Sequence, residues 1–583
     1  MNQKLTPFQH YLALVGILAL GTFLRFWNLD LKPLWLDEVI TAVITLGHNY
    51  NEVPLSAVFG FSTVEQIFTF RSGVSCSDIA HTVATQSTHP PVFFCLMHQW
   101  LSWFRSDTGS WVWQLRSLPA LFGVSAIAAV YWLNRIAFSP KAGLLGAAIM
   151  AVSPFGIYLS QEARHYTLPT LLITLALVGL IKIQQDLYHY LPPRLLVWLG
   201  WGIVNSIGGY VHYFFFLAFI AQIITLIVLV YWQRGKEFYH EFAITAILTI
   251  TSVCLSYLPC IAILKEHFER PESDWLPPPY NIAPLYQAAI GLLSMVIALP
   301  VERRPFWIVI PAAILMLFFG YWFGWQMFRR VRKLWRTPVT QITTLTLSSF
   351  SICVLLEFWI IVYLLNKDIT VVFRYHFVYF SAICALVGAS LVIKVKDNLS
   401  SASSKEKNRS LQKLNLQNYS FSFFLFTGSL LSSILVIFNL TFQKPYQPDE
   451  VAQHIYRQSS IPSIVVVGYY NTQDIPLGFS FALALDKIRN QNFRGVDVAA
   501  DMFFAFLPKT LYPESILQSL SHISSPVVPP LNLWIIDRKV APKEYPTQVL
   551  LANKTTCILD PTQDFPGITH ILYLCQLPLT TDN

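Results

Sequence analysis

The chain has 583 residues, of which 54% are hydrophobic and 12% charged, with a mean hydropathy of +0.49 and a formal net charge of +8. Soluble globular proteins carry about 25% charged residues, so these figures exclude a soluble multi-domain enzyme, a disordered protein and a nucleic-acid-binding module. They point to a polytopic membrane protein, in which an excess of Lys and Arg reflects basic cytoplasmic loops.

A spanning helix needs about 20 mostly apolar residues. Such windows run over residues 9–27, 113–133, 142–159, 168–183, 195–213, 214–232, 243–264, 306–328, 344–365, 373–393 and 421–440. They predict about 11 spans, within a range of 10–13. Two shorter apolar stretches, 90–104 and 283–299, begin near proline and fit re-entrant or interfacial segments. Lys and Arg concentrate in 135–141, 233–237 (Arg234 and Lys236), 329–336 and 394–413, and an eleven-span path puts these loops on one side with Lys4. The positive-inside rule makes that side cytoplasmic. The outer face then receives the loop 28–112, the turn 160–167, the loop 265–305, the turn 366–372 and the C-terminus. The first apolar run is long and has no small-residue cleavage site, so it reads as a permanent span rather than a signal peptide.

Beyond residue 440 the composition changes. Short apolar runs at 463–470, 531–537 and 569–577 predict buried strands, and 449–458 and 479–489 predict helices. The expected organisation is a transmembrane domain over 1–440, including the outer loop 28–112, followed by an extracytoplasmic α/β domain over 441–583. Cys95, Cys254, Cys260, Cys353 and Cys384 lie in apolar segments and read as core residues. Cys76 lies in the first outer loop, and Cys557 and Cys575 share a domain whose compartment permits a disulfide.

In a chain so poor in charge, polar clusters at span ends carry information by their scarcity. The first outer loop opens on Pro33-Leu34-Trp35-Leu36-Asp37-Glu38, with adjacent carboxylates ahead of a helical pattern. Acidic residues at a helix start complement its dipole, but paired carboxylates also suit proton transfer. The same loop ends in Thr88-His89-Pro90-Pro91, where proline starts a helix and leaves His89 just before it. Ser160-Gln161-Glu162-Ala163-Arg164-His165-Tyr166 is dense for an interspan turn: either a solvated salt-bridged turn or a site. Arg374-Tyr375-His376 opens a late span, where an arginine can snorkel or hold a phosphate. All four clusters fall on the outer face.

Their order and wording resemble the lipid-dependent glycosyltransferases of the GT-C superfamily, specifically the family of protein mannosyltransferases and the lipid A aminoarabinose transferase (glycosyltransferase family 39). The matching features are Leu34-Trp35-Leu36-Asp37-Glu38, His89-Pro90-Pro91, the run Leu115-Arg116-Ser117-Leu118-Pro119-Ala120-Leu121-Phe122-Gly123, Ser153-Pro154, the Ser160–Tyr166 cluster and Arg374-Tyr375. The strong match covers residues 10–170. The resemblance implies a GT-C fold and transfer of a hexose- or pentose-type sugar from a polyprenyl-phosphate donor to a protein, lipid or glycan acceptor outside the cytoplasm, with inversion. It implies Asp37 as base with Glu38 beside it, and His89, Arg116, Glu162, Arg164, His165, Tyr166, Arg374 and Tyr375 as substrate-binding residues. It also implies that Glu38, Glu162 and His89 can hold a divalent cation such as Mg²⁺ or Mn²⁺. If the acceptor is a phosphate, Asp37 serves binding more than proton removal. The competing class is a transporter or flippase of lipid-linked sugars. That class calls for mid-span charges and repeated halves, and neither is evident.

Overall fold

The computed structural model describes residues 6–104, 110–233, 239–270, 275–393, 404–444, 446–492, 501–509, 514–522, 527–537, 545–552, 555–561 and 568–576. Lys4, the Arg234/Lys236 loop and the start of the 394–413 loop lie outside them. The described chain forms two compact units: residues 1–29, 89–93 and 116–442 make the first, and residues 30–88, 94–115 and 443–583 the second.

The elements of the first half, in chain order, are α1 (Pro7–Phe26), α2 (Leu36–Thr45), β1 (Val58–Gly60), α3 (Phe61–Ile67), α4 (Cys76–Gln86), α5 (Val92–Leu101), α6 (Trp111–Ala137), α7 (Pro140–Ala151), α8 (Pro154–Ser160), α9 (Thr167–His189), α10 (Leu195–Val211), α11 (Phe215–Trp232) and α12 (Tyr239–Ser256). They are followed by α13 (Ile261–Glu269), α14 (Ala283–Ser294), α15 (Phe306–Arg336), α16 (Pro338–Leu364), α17 (Phe377–Val392) and α18 (Ser404–Ile437). All eleven apolar windows are helical. Among the described residues nine helical stretches are long and apolar enough to cross a membrane. The bent pair α7–α8 makes a tenth, and α10, with 17 residues, is a shorter apolar helix. The stretches 90–104 and 283–299 form only α5 and α14, 10 and 12 residues long. At about 1.5 Å per residue neither reaches across a hydrocarbon core of about 30 Å.

With no water to receive them, polar groups inside the helical unit pair with one another. Thr174 Oγ1 and Ser381 Oγ lie 2.6 Å apart and tie α9 to α17. Asn134 Nδ2 donates to Ala142 O (3.2 Å) and Ala385 O (3.0 Å), joining α6, α7 and α17. α7 and α17 meet at Gly146 and Gly388, so closely that a Cβ on Gly388 would collide with the backbone of Gly146. Small residues at such a crossing let helix backbones approach.

The second unit adds α19 (Pro448–Arg457), β2 (Ser463–Tyr469), α20 (Asp474–Asn492), β3 (Met502–Pro508), α21 (Glu514–Leu520), β4 (Leu531–Ile536), β5 (Gln548–Leu550), β6 (Thr556–Leu559) and β7 (His570–Gln576). Its seven-stranded sheet runs β1-β3-β2-β4-β7-β6-β5. The centre β3-β2-β4 is parallel, with Val465 opposite both Phe504 and Trp534, and the flanking pairs are antiparallel. β2 and β4 are buried nearly throughout, as expected where both faces of a parallel sheet are covered. β1 comes from the first loop, so the loop that the sequence assigned to the transmembrane domain supplies an edge strand of this sheet. The same unit holds disulfides Cys76–Cys95 and Cys557–Cys575. The first corrects the sequence expectation for Cys95. An apolar neighbourhood suggested a core thiol, but α5 presents Cys95 to the start of α4. Of the four free cysteines, Cys384 is buried and Cys254 is exposed on its helix.

Candidate active site

In the helical unit the site is built on a broken helix. Ser153 caps α8, its Oγ accepting from Gly156 N at 3.2 Å, and Pro154 occupies the first turn. The chain bends by 61° between α7 and α8. A helix that stops here leaves its last carbonyls without intrahelical donors. Arg25, near the end of α1, supplies them: Nη2 donates to Met150 O (2.9 Å) and Nη1 to Ala151 O (3.0 Å) and Gly21 O (3.1 Å). Gln161 returns the arrangement, its Nε2 donating to Trp27 O (2.9 Å), Arg25 O (3.3 Å) and Leu24 O (3.4 Å) at the end of α1. Gly123 of α6 is required beside this pair, since a Cβ there would collide with Ser160 Oγ and lie 3.0 Å from Arg25 Nε. Two reciprocal caps thus fix the segment that continues as Glu162–Tyr166.

That segment meets His89 and Arg374. Arg164 Nη2 donates to His89 Nε2 at 2.9 Å, which leaves the His89 proton on Nδ1. The guanidinium carbons of Arg164 and Arg374 each lie 5.9 Å from the centroid of Tyr166, within cation–π range. His165 lies 5.0 Å from His89, 4.5 Å from His212 and 4.6 Å from Tyr166, ring centroid to centroid. His165 is fully buried, and among the described residues neither of its ring nitrogens has a hydrogen-bond partner. His212 Nδ1 accepts from Phe214 N at 2.9 Å, so its own proton resides on Nε2. Arg374 follows a short turn in which Asp368 Oδ1 accepts from Thr370 N at 3.0 Å.

Burial and then the neighbouring cations hold these histidines neutral. Burial first, then Arg164, His212, His267 and Arg374, lowers His89 well below the ordinary histidine value. Burial, then His212, Arg164, His89 and Arg374, does the same to His165. His212 is lowered to about 3 by burial, Arg164 and Arg374. Two guanidiniums beside neutral imidazoles are chemically suited to an anion, because charge-assisted hydrogen bonds strengthen where water is excluded.

The second unit carries the acidic pair. Asp37 and Glu38 stand in the first turn of α2, whose apolar face (Val39, Ile40, Val43, Ile44) is buried, and α2 packs on α20. Glu38 is only 1% exposed, whereas Asp37 is half-buried. Of the two carboxylates, Asp37 is the one open to a reacting group. Lys444 Nζ lies 4.0 Å from the ring centroid of Trp35, the residue that precedes this helix.

The structure therefore brings His89, Glu162, Arg164, His165, Tyr166, Arg374 and Tyr375 into one unit, and Asp37 and Glu38 into the other. Glu162 is buried, and Tyr375 packs against Phe214 at 4.5 Å between centroids. Arg116 is buried and donates from Nη1 to Leu29 O at 2.9 Å, just beyond α1. Of the residues named for a metal, His89 and Glu162 lie in the first unit and Glu38 in the second, and His89 Nε2 accepts from Arg164. Among the described residues no group of three His, Cys, Asp or Glu that could hold a metal ion is found. Sequence reasoning missed His212, because its window merged with the end of a span. The eleven-span path already put the α10–α11 turn on the same face as the other clusters, and a lone histidine there was the available signal.

Residues 88–257 match the family model described as dolichyl-phosphate-mannose-protein mannosyltransferase. No curated protein sequence matches the chain. Among solved structures, ArnT from Cupriavidus metallidurans in the apo state is 11% identical, with 96% of this chain and 97% of that one covered and a TM-score of 0.53. The same protein bound to undecaprenyl phosphate is 12% identical over 96% and 97%, with a TM-score of 0.48. The Archaeoglobus fulgidus oligosaccharyltransferase in complex with zinc and sulfate is 13% identical over 81% of this chain, with a TM-score of 0.46, and the chain spans 61% of its length. At such identities the likeness is one of fold.

Proposed function

We propose that this chain, whose fold is similar to that of a solved ArnT, is a membrane glycosyltransferase of the GT-C superfamily that moves a hexose-type sugar from a polyprenyl-phosphate donor to an acceptor outside the cytoplasm. The observation that carries the proposal is the centre in which buried Arg164 donates to His89, with half-buried Arg374 and buried His165 and His212 around Tyr166. A lipid-linked sugar phosphate keeps its tail among the spans and brings its phosphate to a span end. The matched family description, naming a dolichyl-phosphate-linked sugar, supports this donor class.

The acceptor hydroxyl oxygen attacks the anomeric carbon as the bond from that carbon to the phosphate oxygen breaks. The phosphodiester leaves as a phosphate monoester with one more negative charge. Arg164 and Arg374 face that gain, and donors arranged before the charge develops stabilise it most. His89 Nε2 fixes the Arg164 fork, and the uncommitted His165 ring is available to the phosphate oxygens. The resemblance of the Leu34–Glu38 motif assigns removal of the acceptor proton to Asp37, with Glu38 beside it. A single displacement inverts the anomeric carbon. No step is routed through a cation. The two disulfides of the second unit support an oxidising, extracytoplasmic compartment for it, with the N-terminus cytoplasmic.

Membranes containing the protein should release polyprenyl phosphate and transfer labelled sugar from a short-chain polyprenyl-phosphate hexose, in the presence of EDTA as well. Movement of intact donor across the bilayer without release of polyprenyl phosphate would assign the chain to the flippases instead. Labelling of an Asp37→Cys variant from the cytoplasmic side would overturn the orientation.

A further inference from the structure

The second unit offers two places where a ligand could bind. In a parallel sheet wound β3-β2-β4 the binding crevice lies beyond the carboxyl ends of β2 and β4, where connections leave to opposite sides. Here the chain fills that crevice itself. Lys509 Nζ donates to Asp537 Oδ1 at 2.7 Å, Tyr545 donates to Asp537 Oδ2 at 2.9 Å, and Lys509 Nζ lies 4.7 Å from the Tyr470 ring centroid. Lys509, Asp537 and Tyr545 are all buried.

The other place is open. A cavity of about 900 Å³ is lined by Asp30 and Lys32 ahead of α2, Trp111 at the start of α6, Asp449 of α19, and Lys487 and Asn490 of α20, among others. Its volume falls within the range of small-molecule sites, about 300–1,000 Å³. Three carboxylates (Asp30, Asp449, Asp486) face two ammonium groups (Lys32, Lys487), so neither a free anion nor a free cation is strongly selected. Closely spaced acceptors and donors suit hydroxyl groups, which both give and take hydrogen bonds. A flat indole suits the apolar face of a pyranose ring. The wall is preorganised: Trp111 packs 5.6 Å from Phe68, and Asp486 accepts from Arg489 Nη2 (2.9 Å) and Asn490 Nδ2 (3.1 Å).

We propose that this cavity binds a neutral oligosaccharide. Leu34, also in its wall, stands three residues before Asp37, so a sugar chain seated there lies beside the first turn of α2. That the bound glycan is the acceptor rests on the transferase proposal, whereas its binding does not.

The test uses the full-length purified protein without donor and saturation-transfer NMR with mannotetraose, cellotetraose and chitotetraose as probes. At least one should receive saturation at its ring protons. Trp111→Ala should weaken that binding about tenfold, the scale of one lost stacking contact. Asn490 is exposed on α20, so Asn490→Ala keeps the test independent of any folding defect in Trp111→Ala, and it should weaken binding as well. No saturation of any probe, or full binding in both variants, overturns the proposal. Glycan binding without sugar transfer by the same preparation would sink the transferase proposal and leave the cavity standing. Transfer without glycan binding would do the reverse.

Discussion

The helical unit and the sheet-containing unit differ in the charge they gather at their candidate sites. In the first, Arg164 is 1% exposed and His165 is fully buried, with half-buried His89 and Arg374 beside them. In the second, Asp37 is half-buried, and the cavity wall ahead of it mixes both signs of charge with exposed amides. The contrast follows the two substrates of the proposed reaction. A phosphate whose charge grows during the reaction is best met by dipoles and cations shielded from water. A hydroxyl-rich acceptor arriving from water is better met by groups that remain hydrated until it binds.

Four changes would break or sharpen this contrast. The largest effect belongs to the second unit: Asp37→Asn should lower turnover about 10²–10⁴-fold while donor affinity stays constant. Single-turnover assays with excess enzyme measure this, and wild-type turnover would remove the carboxylate from the chemistry. In the first unit, Arg164→Met should cost about 10²–10³-fold. Unlike Asp37→Asn, it should also weaken competition by free polyprenyl phosphate, and an unchanged inhibition constant would move the anion centre elsewhere.

Arg25→Met tests the scaffold rather than the site. It leaves the carbonyls of Met150 and Ala151 without their donor, a loss of about 1–3 kcal/mol for buried polar groups. The melting temperature should fall, and turnover should fall with it as the Glu162–Tyr166 turn loosens. An unaltered melting temperature would show that the reciprocal caps carry little of the fold.

The smallest effect is on pH. Free histidine has a pKa of about 6.5, while His89, His165 and His212 are lowered in the folded protein, His212 to about 3. As pH falls through about 6.5 the unfolded chain takes up protons that the folded chain refuses, so stability is full above that pH and declines toward about 3. His212→Phe should flatten the dependence of melting temperature on pH between these limits. A slope equal to that of the wild type would mean that His212 is not held neutral.

How much of this was legible in the sequence depended on the length scale of the signal. Every apolar window became helical, with 142–159 broken into α7 and α8 and 243–264 divided between α12 and α13, since a run of about 20 apolar residues has few other solutions in a membrane. β2, β4 and β7 were also visible as apolar runs. Met502–Pro508 was not recognised, although it is β3 and central to the sheet, because a short continuous apolar run reads equally as a helix segment. Val58–Gly60 escaped because an edge strand of three residues has no periodicity to detect. Cys95 misled because its neighbours are apolar, and its pairing depends on where α4 begins.

The sequence by itself determined the membrane class, the helical windows and the scarce polar clusters in their order, because all of these follow from local composition. Only the tertiary structure decided which clusters meet. It joined His89 to Arg164 across 75 residues, brought Arg25 to the end of a helix 125 residues away, and gave the first loop to the sheet at Phe504. Such contacts depend on how helices cross and where they break, and that is set by the packing of the whole chain rather than by any one stretch of it.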